Sequence, residues 1–220
     1  MNKVAISNGN SYFHLFESAN AAIDNNMLYC FISSFSVSSN FLYEFLQYVD
    51  KMNVRHISKK ANKLRNRFLP KNSPYYLFSI PLAEIYFQLS FVVRAMLYYR
   101  TKTHGFFGKV GFPEIYHVRA GYGGGTIDLC HSSNSLAIVD HSAMHPQDII
   151  DLNKHLYGGK IYSTKLEKQL RIWELVEEDI NNSDYIIANS DCVKSSLIKH
   201  KVAPNKIKII YLGIPEKLLN

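Results

Sequence analysis

The chain has 220 residues, 47% of them hydrophobic and 20% charged, with 11 Gly and 7 Pro, which suits one packed globular unit and excludes collagen-like repeats and bulk disorder. Its formal net charge of +7 points to an anionic partner. Three widely spaced cysteines, Cys30, Cys130 and Cys192, form no CxxC pair, so neither a disulfide framework nor a structural zinc site is indicated and a reducing compartment is expected. The amino terminus MNKVAISNGN turns polar too soon for the apolar region of a signal peptide, so a cytoplasmic location is expected.

Taken in chain order, short apolar runs predict strands at Lys3 to Ser7, Leu28 to Ile32, Asn53 to Ile57, Glu114 to Val118, Leu136 to Asp140, Asp184 to Ala188 and Lys206 to Tyr211. Runs of about five residues with continuous apolar character suit strands covered on both faces. Helices are expected between most of them, at Ser11 to Asn25, Asn40 to Met52, Ser79 to Arg100, Thr126 to Asn134, Thr164 to Asn181 and Asp191 to Lys201. Alternating strand and helix predicts an α/β, Rossmann-like, doubly wound, mostly parallel sheet with helices on both faces.

The first loop, Ser7-Asn8-Gly9-Asn10-Ser11, enters a helix carrying His14. Gly9 permits a sharp turn and close approach of a ligand, and Ser11 can cap the helix. His14, between Phe13 and Phe16, also fits a packed histidine.

Eight basic residues lie between Lys51 and Lys71 with no acid among them, including Lys59, Lys60, Lys63, Arg65 and Arg67. Such a run suits either an anionic membrane surface or a solvated basic loop. The aromatic stretch Tyr75 to Tyr99 follows. Its Pro81, Glu84 and Arg94 argue against a membrane span, since an ionised group at the bilayer centre costs about 3 kcal/mol. A buried or interfacial helix is expected instead. Nucleic-acid binding has less support, because the basic residues are not interleaved with aromatics as stacking platforms would be.

After the strand EIYHV comes RAGYGGGTIDL, with Arg119, Gly121 and Gly123 in a loop that could direct N–H groups at a phosphate or carboxylate, or be a plain turn. It matches neither GxGxxG nor the P-loop. The strand LAIVD ends in His141 beside Asp140, where a histidine could orient a substrate hydroxyl or handle a proton near neutral pH. Capping a turn is the alternative. His141 and His145 have a metal-like spacing, but Pro146 interrupts any helix joining them and no HExxH is present, so no metal is expected. Cys130-His131 invites a nucleophile and base reading, yet adjacent helical residues diverge and no GxSxG elbow exists. Glu177, Glu178 and Asp179 read as a solvated helix face. Asn189 and Ser190 open a helix whose free N–H groups could bind an anion, though Ser190 reads first as an ordinary helix cap.

The ordered set of EIYHVRAGYGG, AIVDHSAMHP and above all SDYIIANS, continued by DCVKSSLIKHKVAPNKIKIIYLGIP, resembles the amino-terminal half of family-4 retaining glycosyltransferases of the GT-B fold. Ser190, Lys194, Lys206 and Gly213 to Pro215 stand at that family's structural positions. The resemblance implies a domain that binds a glycan or lipid-linked acceptor, facing a second domain that binds a nucleotide-sugar. It places Gly9 near the donor phosphates and His141, as the catalytic candidate, at the sugar site. Together with the residue-level reading, the substrate-binding candidates are Gly9, Asn10, His14, Arg119, Gly121 and Gly123. No cofactor is expected, the nucleotide-sugar being a substrate. The family's basic amino-terminal domains sit on membranes, which implies a peripheral place on the inner face of the cell membrane for Lys59, Lys60, Lys63, Arg65 and Arg67. The chain ends where the interdomain linker is expected, so it reads as a half-enzyme, inactive alone and completed by a separate donor-binding domain. A non-catalytic scaffold of the same fold is the alternative.

Overall fold

The structure, a computed structural model, describes residues 3–10, 14–35, 48, 76–157 and 163–211. The expected strand at 53–57, the expected helix at 40–52, Ser11, the Lys59 to Arg67 run and Gly213 to Pro215 lie outside the described residues.

Among the described residues, seven parallel strands make one sheet: β1 (Val4–Ser7), β2 (Leu28–Ser33), β3 (Tyr76–Ser79), β4 (Ile115–Arg119), β5 (Leu136–His141), β6 (Tyr185–Ala188) and β7 (Ile207–Ile209). Their spatial order is β3-β2-β1-β4-β5-β6-β7. The helices between them are α1 (Leu15–Asp24), α2 (Pro81–Gln88), α3 (Val92–Val110), α4 (Gly125–Ser132), α5 (Pro146–Tyr157), α6 (Ser163–Asn182) and α7 (Asp191–Lys199). The α/β, Rossmann-like, parallel architecture expected from the alternation is the one observed.

Strand alternation sends successive residues to opposite faces of the sheet. On β1 and β2, Ile6 and Phe31 pack against Leu15, Phe16 and Ala19 of α1, while Ala5, Cys30 and Ile32 pack with Met96, Tyr99 and Phe107 of α3. A third cluster joins Val176 and Ile180 of α6 to β6, α7 and β7 through Ile186, Leu197 and Ile207.

The stretch expected as one aromatic helix is a strand and two helices. Tyr76–Ser79 pairs with β2, since a four-residue apolar run cannot be told from buried helix by periodicity. Pro81 occupies the first turn of α2, where its missing N–H costs nothing. The helix then stops at Leu89, and Ser90 takes the left-handed conformation at φ 64° before α3 begins. Helix α5, opened by Pro146, was not among the expected elements. No helix among the described residues is long and apolar enough to cross a membrane.

In this strand order the connections leaving β1 and β4 run to opposite sides, so the carboxyl ends of these neighbours mark a topological switch point. Open α/β sheets bind ligands in the crevice formed there.

Candidate functional site

At the switch point the β1 loop is held by α3. The buried Tyr99 hydroxyl donates to the Ile32 carbonyl (2.8 Å), accepts from the Gly9 amide (3.2 Å) and lies 3.0 Å from Ser7 Oγ. Burial raises the Tyr99 pKa well above the ordinary phenol range, so the hydroxyl keeps its proton. Gly9 has φ 76°, and a Cβ there would stand 2.8 Å from the Tyr122 ring. Glycine is required on both counts. Arg119, the last residue of β4, donates to the Asn10 carbonyl (3.0 Å), and its guanidinium lies 5.5 Å from the centroid of the Tyr122 ring. One aromatic ring thus abuts both the first loop and the β4 arginine.

The glycine-rich loop does hold an anion, but an internal one. Asp179 of α6, fully buried, accepts the amides of Gly121 (2.7 Å), Gly123 (2.8 Å) and Gly124 (2.7 Å), together with Arg100 Nη2 (2.8 Å). Arg100 also donates to the carbonyls of Gly121 and Leu175 and to Glu178. Burial raises the Asp179 pKa above the ordinary carboxylate value, against the opposing pull of Arg100 and the three amides. All four partners are donors and none could accept a carboxyl proton, so the cradle is matched to the carboxylate. The solvated face expected around Glu177 to Asp179 therefore fails at Asp179. The Gly121 and Gly123 amides are engaged within the chain.

Asp140, near the end of β5, is also buried. Its Oδ2 lies 2.7 Å from His14 Nε2 and 3.7 Å from His117 Nε2. Burial raises its pKa, but the two imidazoles outweigh that effect and hold it below the ordinary carboxylate value. His14 thus reaches the β5 edge through a carboxylate rather than by packing alone.

His141 is buried, and burial, with the charge of His145 adding to it, lowers its pKa to about 4. The ring is neutral at pH 7. Its Nε2 lies 3.3 Å from the Met144 carbonyl, which can only accept, so Nε2 carries the proton and Nδ1 is the acceptor. The turn after it is fixed from two sides: Asn189 Nδ2 donates to the Ser142 carbonyl (3.3 Å), and the His145 amide donates to Ser196 Oγ (2.8 Å). His145 faces elsewhere, its ring stacked on His200 at 4.2 Å.

Arg119, Asp140, His141 and Ser142 form the polar side of a cavity of about 220 Å³. Phe87 of α2, Val92 and Met96 of α3, and Ile172, Trp173 and Val176 of α6 supply its apolar walls. Trp173 is the only tryptophan in the sequence. Of the residues singled out from the sequence, Arg119, Asp140 and His141 line the cavity. Gly9, Asn10 and His14 lie behind it, tied to Tyr99, Arg119 and Asp140 respectively, and Gly121 and Gly123 bind Asp179. Tyr99, Arg100 and Trp173 carry no functional reading in the sequence, and Asp179 reads there as part of a solvated helix face. The one available signal was an arginine and an aspartate inside otherwise apolar helix faces.

Cys130 is unsuited to nucleophilic work. Burial pushes its thiol up to about 12, and His131 turns away to Asp184 at 3.0 Å. Ser190 caps α7, accepting the Val193 amide at 3.3 Å, as an ordinary cap does.

No protein-family model matches the sequence, and no curated protein matches it. Solved structures similar to the chain include Phytolacca americana UGT2 complexed with UDP-2fluoro-glucose and pterostilbene, 9% identical over 96% of this chain and 52% of that one, at TM-score 0.51. Anabaena Alr3699/HepE in complex with UDP and glucose is 10% identical over 97% and 45%, at TM-score 0.48. The UDP-GlcNAc 2-epimerase from Methanocaldococcus jannaschii is 11% identical over 94% and 45%, at TM-score 0.49. The chain spans about half the length of these proteins. The likeness is one of fold: an α/β Rossmann-like unit of the kind found in GT-B proteins.

Proposed function

We propose that this chain is the acceptor-binding half of a sugar transferase, in which a sugar moves from a nucleotide diphosphate to an acceptor hydroxyl with retention of configuration. The observation that carries the reading is the cavity at the switch point, with Arg119, Asp140 and His141 on its polar side and Phe87 and Trp173 on its walls. The fold likeness to a protein solved with a UDP-sugar analogue and pterostilbene supports it. So does the sequence resemblance to family-4 enzymes.

In this reading His141 positions a hydroxyl. As a neutral ring whose Nε2–H is committed to Met144, it offers Nδ1 as an acceptor without adding charge. Asp140, held by His14, keeps a fixed negative charge beside it, and Arg119 brings positive charge to the same cavity. The Gly9 turn, held by the Tyr99 hydroxyl and packed on Tyr122, shapes the loop that the resemblance puts near the donor. A departing diphosphate needs several aligned donors. We assign those to a donor-binding domain rather than to the Gly121 to Gly124 amides, which already serve Asp179. The Lys59, Lys60, Lys63, Arg65 and Arg67 run docks anionic lipid in this scheme, each basic side chain contributing roughly 1 kcal/mol near the surface.

The test is transfer of label from a panel of nucleotide-sugars into membrane lipid extract, first by the chain alone and then with a separately expressed donor-binding domain. Transfer by the pair only is the expected result. Transfer by the chain alone overturns the half-enzyme reading, and silence in both favours a non-catalytic scaffold.

A further inference from the structure

The second histidine of the His141 and His145 pair does not line the cavity, but it fixes the turn that does. His145 is the N-cap of α5: its carbonyl accepts the first helical bond, from Ile149 (3.3 Å), and its Nδ1 accepts the Gln147 amide (3.2 Å). An amide N–H only donates, so Nδ1 carries no proton and the ring caps the helix only while neutral. The His145 amide donates to Ser196 Oγ (2.8 Å), which anchors the cap on α7. At the other end of the turn Met144 offers its carbonyl to His141 Nε2 (3.3 Å), and Ser142 and Ala143 between them line the cavity.

The surroundings oppose a proton on this ring. His200, just past α7, stacks on it with centroids 4.2 Å apart and planes 13° apart, and its Nε2 donates to Asp148 Oδ1 (2.9 Å). His200, Lys199 Nζ (2.6 Å) and Ser196 Oγ (2.6 Å) together hold Asp148 well below the ordinary carboxylate range, so its charge is already engaged. Burial and then His200 lower the His145 pKa, against the pull of Glu177 on α6 and of Asp148. A proton on His145 sets a donor against the Gln147 amide and a positive ring face to face with His200, and it adds charge beside His141.

From the cap bond at one end of the turn and the Met144 carbonyl at the other, we infer that His145 is the positioning residue for His141 and holds it only in the neutral state. With the cap made, the His141 Nε2–H stays committed to Met144 and Nδ1 faces outward as the acceptor. Once His145 takes a proton the cap bond is lost, the turn is released, and His141 loses the partner that fixes its tautomer. This rests on the reading of His141 as the group that orients an acceptor hydroxyl, and it makes that site acid-sensitive.

The experiment follows the nitrogen-15-labelled full chain by NMR from pH 7.5 to 4.5, reading the His145 ring, the His141 tautomer and the exchange protection of the Gln147 amide. All three should change with one midpoint, below the ordinary histidine value of about 6.5, with Gln147 protection falling about tenfold, as for a lost cap. His145→Asn, whose side-chain oxygen caps without titrating, should hold the His141 tautomer and the Gln147 amide at their neutral-pH state throughout. His200→Gln, which removes the stacked ring but keeps a donor for Asp148, should move the midpoint to higher pH. Separate midpoints, no change in the native chain, or a change that persists in His145→Asn overturns the inference. No ligand takes part in these measurements, so such a result leaves the acceptor reading to be decided by the transfer of label.

Discussion

Asp179 accepts a hydrogen bond from the Gly121 amide at 2.7 Å, across 58 residues of chain, and the same carboxylate meets Arg100 at 2.8 Å. Helix α6 thereby organises the loop that leaves β4, and α3 supplies the counter-charge. Breaking a buried ion pair by removing one partner costs about 3–5 kcal/mol, because the other charge is stranded. Asp179→Ala should therefore lower the unfolding free energy in urea by that amount. Glu178→Gln, which removes the half-exposed partner of Arg100, should cost less than about 1 kcal/mol. Comparable losses for the two variants would mean that Asp179 does not hold the loop.

The neutral His141 predicts a pH dependence with a definite sign. Its folded pKa of about 4 lies below the unfolded 6.5, so the unfolded state binds the proton first as pH falls. Stability is complete above pH 6.5 and drains away between 6.5 and about 4, by about 3 kcal/mol from this residue. His145, also lowered by burial, adds in the same direction. His141→Phe should remove most of the difference between urea unfolding at pH 7 and pH 4.5. A variant that keeps the wild-type difference would show that His141 is not the buried neutral group.

The first loop is predicted to depend on Gly9 and Tyr99 jointly. Gly9→Ala places a side chain at positive φ, costing about 1–2 kcal/mol, and drives a methyl into Tyr122. Tyr99→Phe removes the hydroxyl that serves Gly9, Ser7 and Ile32, at about 1–3 kcal/mol. Amide exchange at Gly9 should accelerate in Tyr99→Phe. Unchanged exchange would detach the loop from α3.

Thiol reactivity separates the cysteines. Burial raises Cys30 and Cys130, the latter to about 12, whereas Cys192 is exposed on α7. The thiolate is the reacting form, so iodoacetamide at pH 8 should modify one cysteine per folded chain, at Cys192. Modification of Cys130 at a comparable rate would reopen its nucleophile reading.

The parallel sheet was legible because strands buried on both faces read as short continuous apolar runs, as LYCFI and LAIVD do. Tyr76–Ser79 was not, because it abuts α2 in one unbroken aromatic run, and only Pro81 marks the boundary. At the site, Arg119 and His141 were legible as polar residues ending apolar strands. The role of the glycine-rich loop was not. Loop composition signals that N–H groups converge, but it does not say whose carboxylate they meet, and Asp179 approaches from a helix more than fifty residues later. Tyr99 and Trp173 carry no local signal, since an aromatic on a helix reads as core whether or not its edge lines a cavity.

The central claim is that the switch-point cavity takes the acceptor, and Trp173 emission during titration with octyl glucoside tests it most directly. A saturable change in the native chain that is lost in Ala143→Phe, where a ring fills the cavity beside His141, is the predicted result. A saturable change that persists undiminished in Ala143→Phe would contradict it.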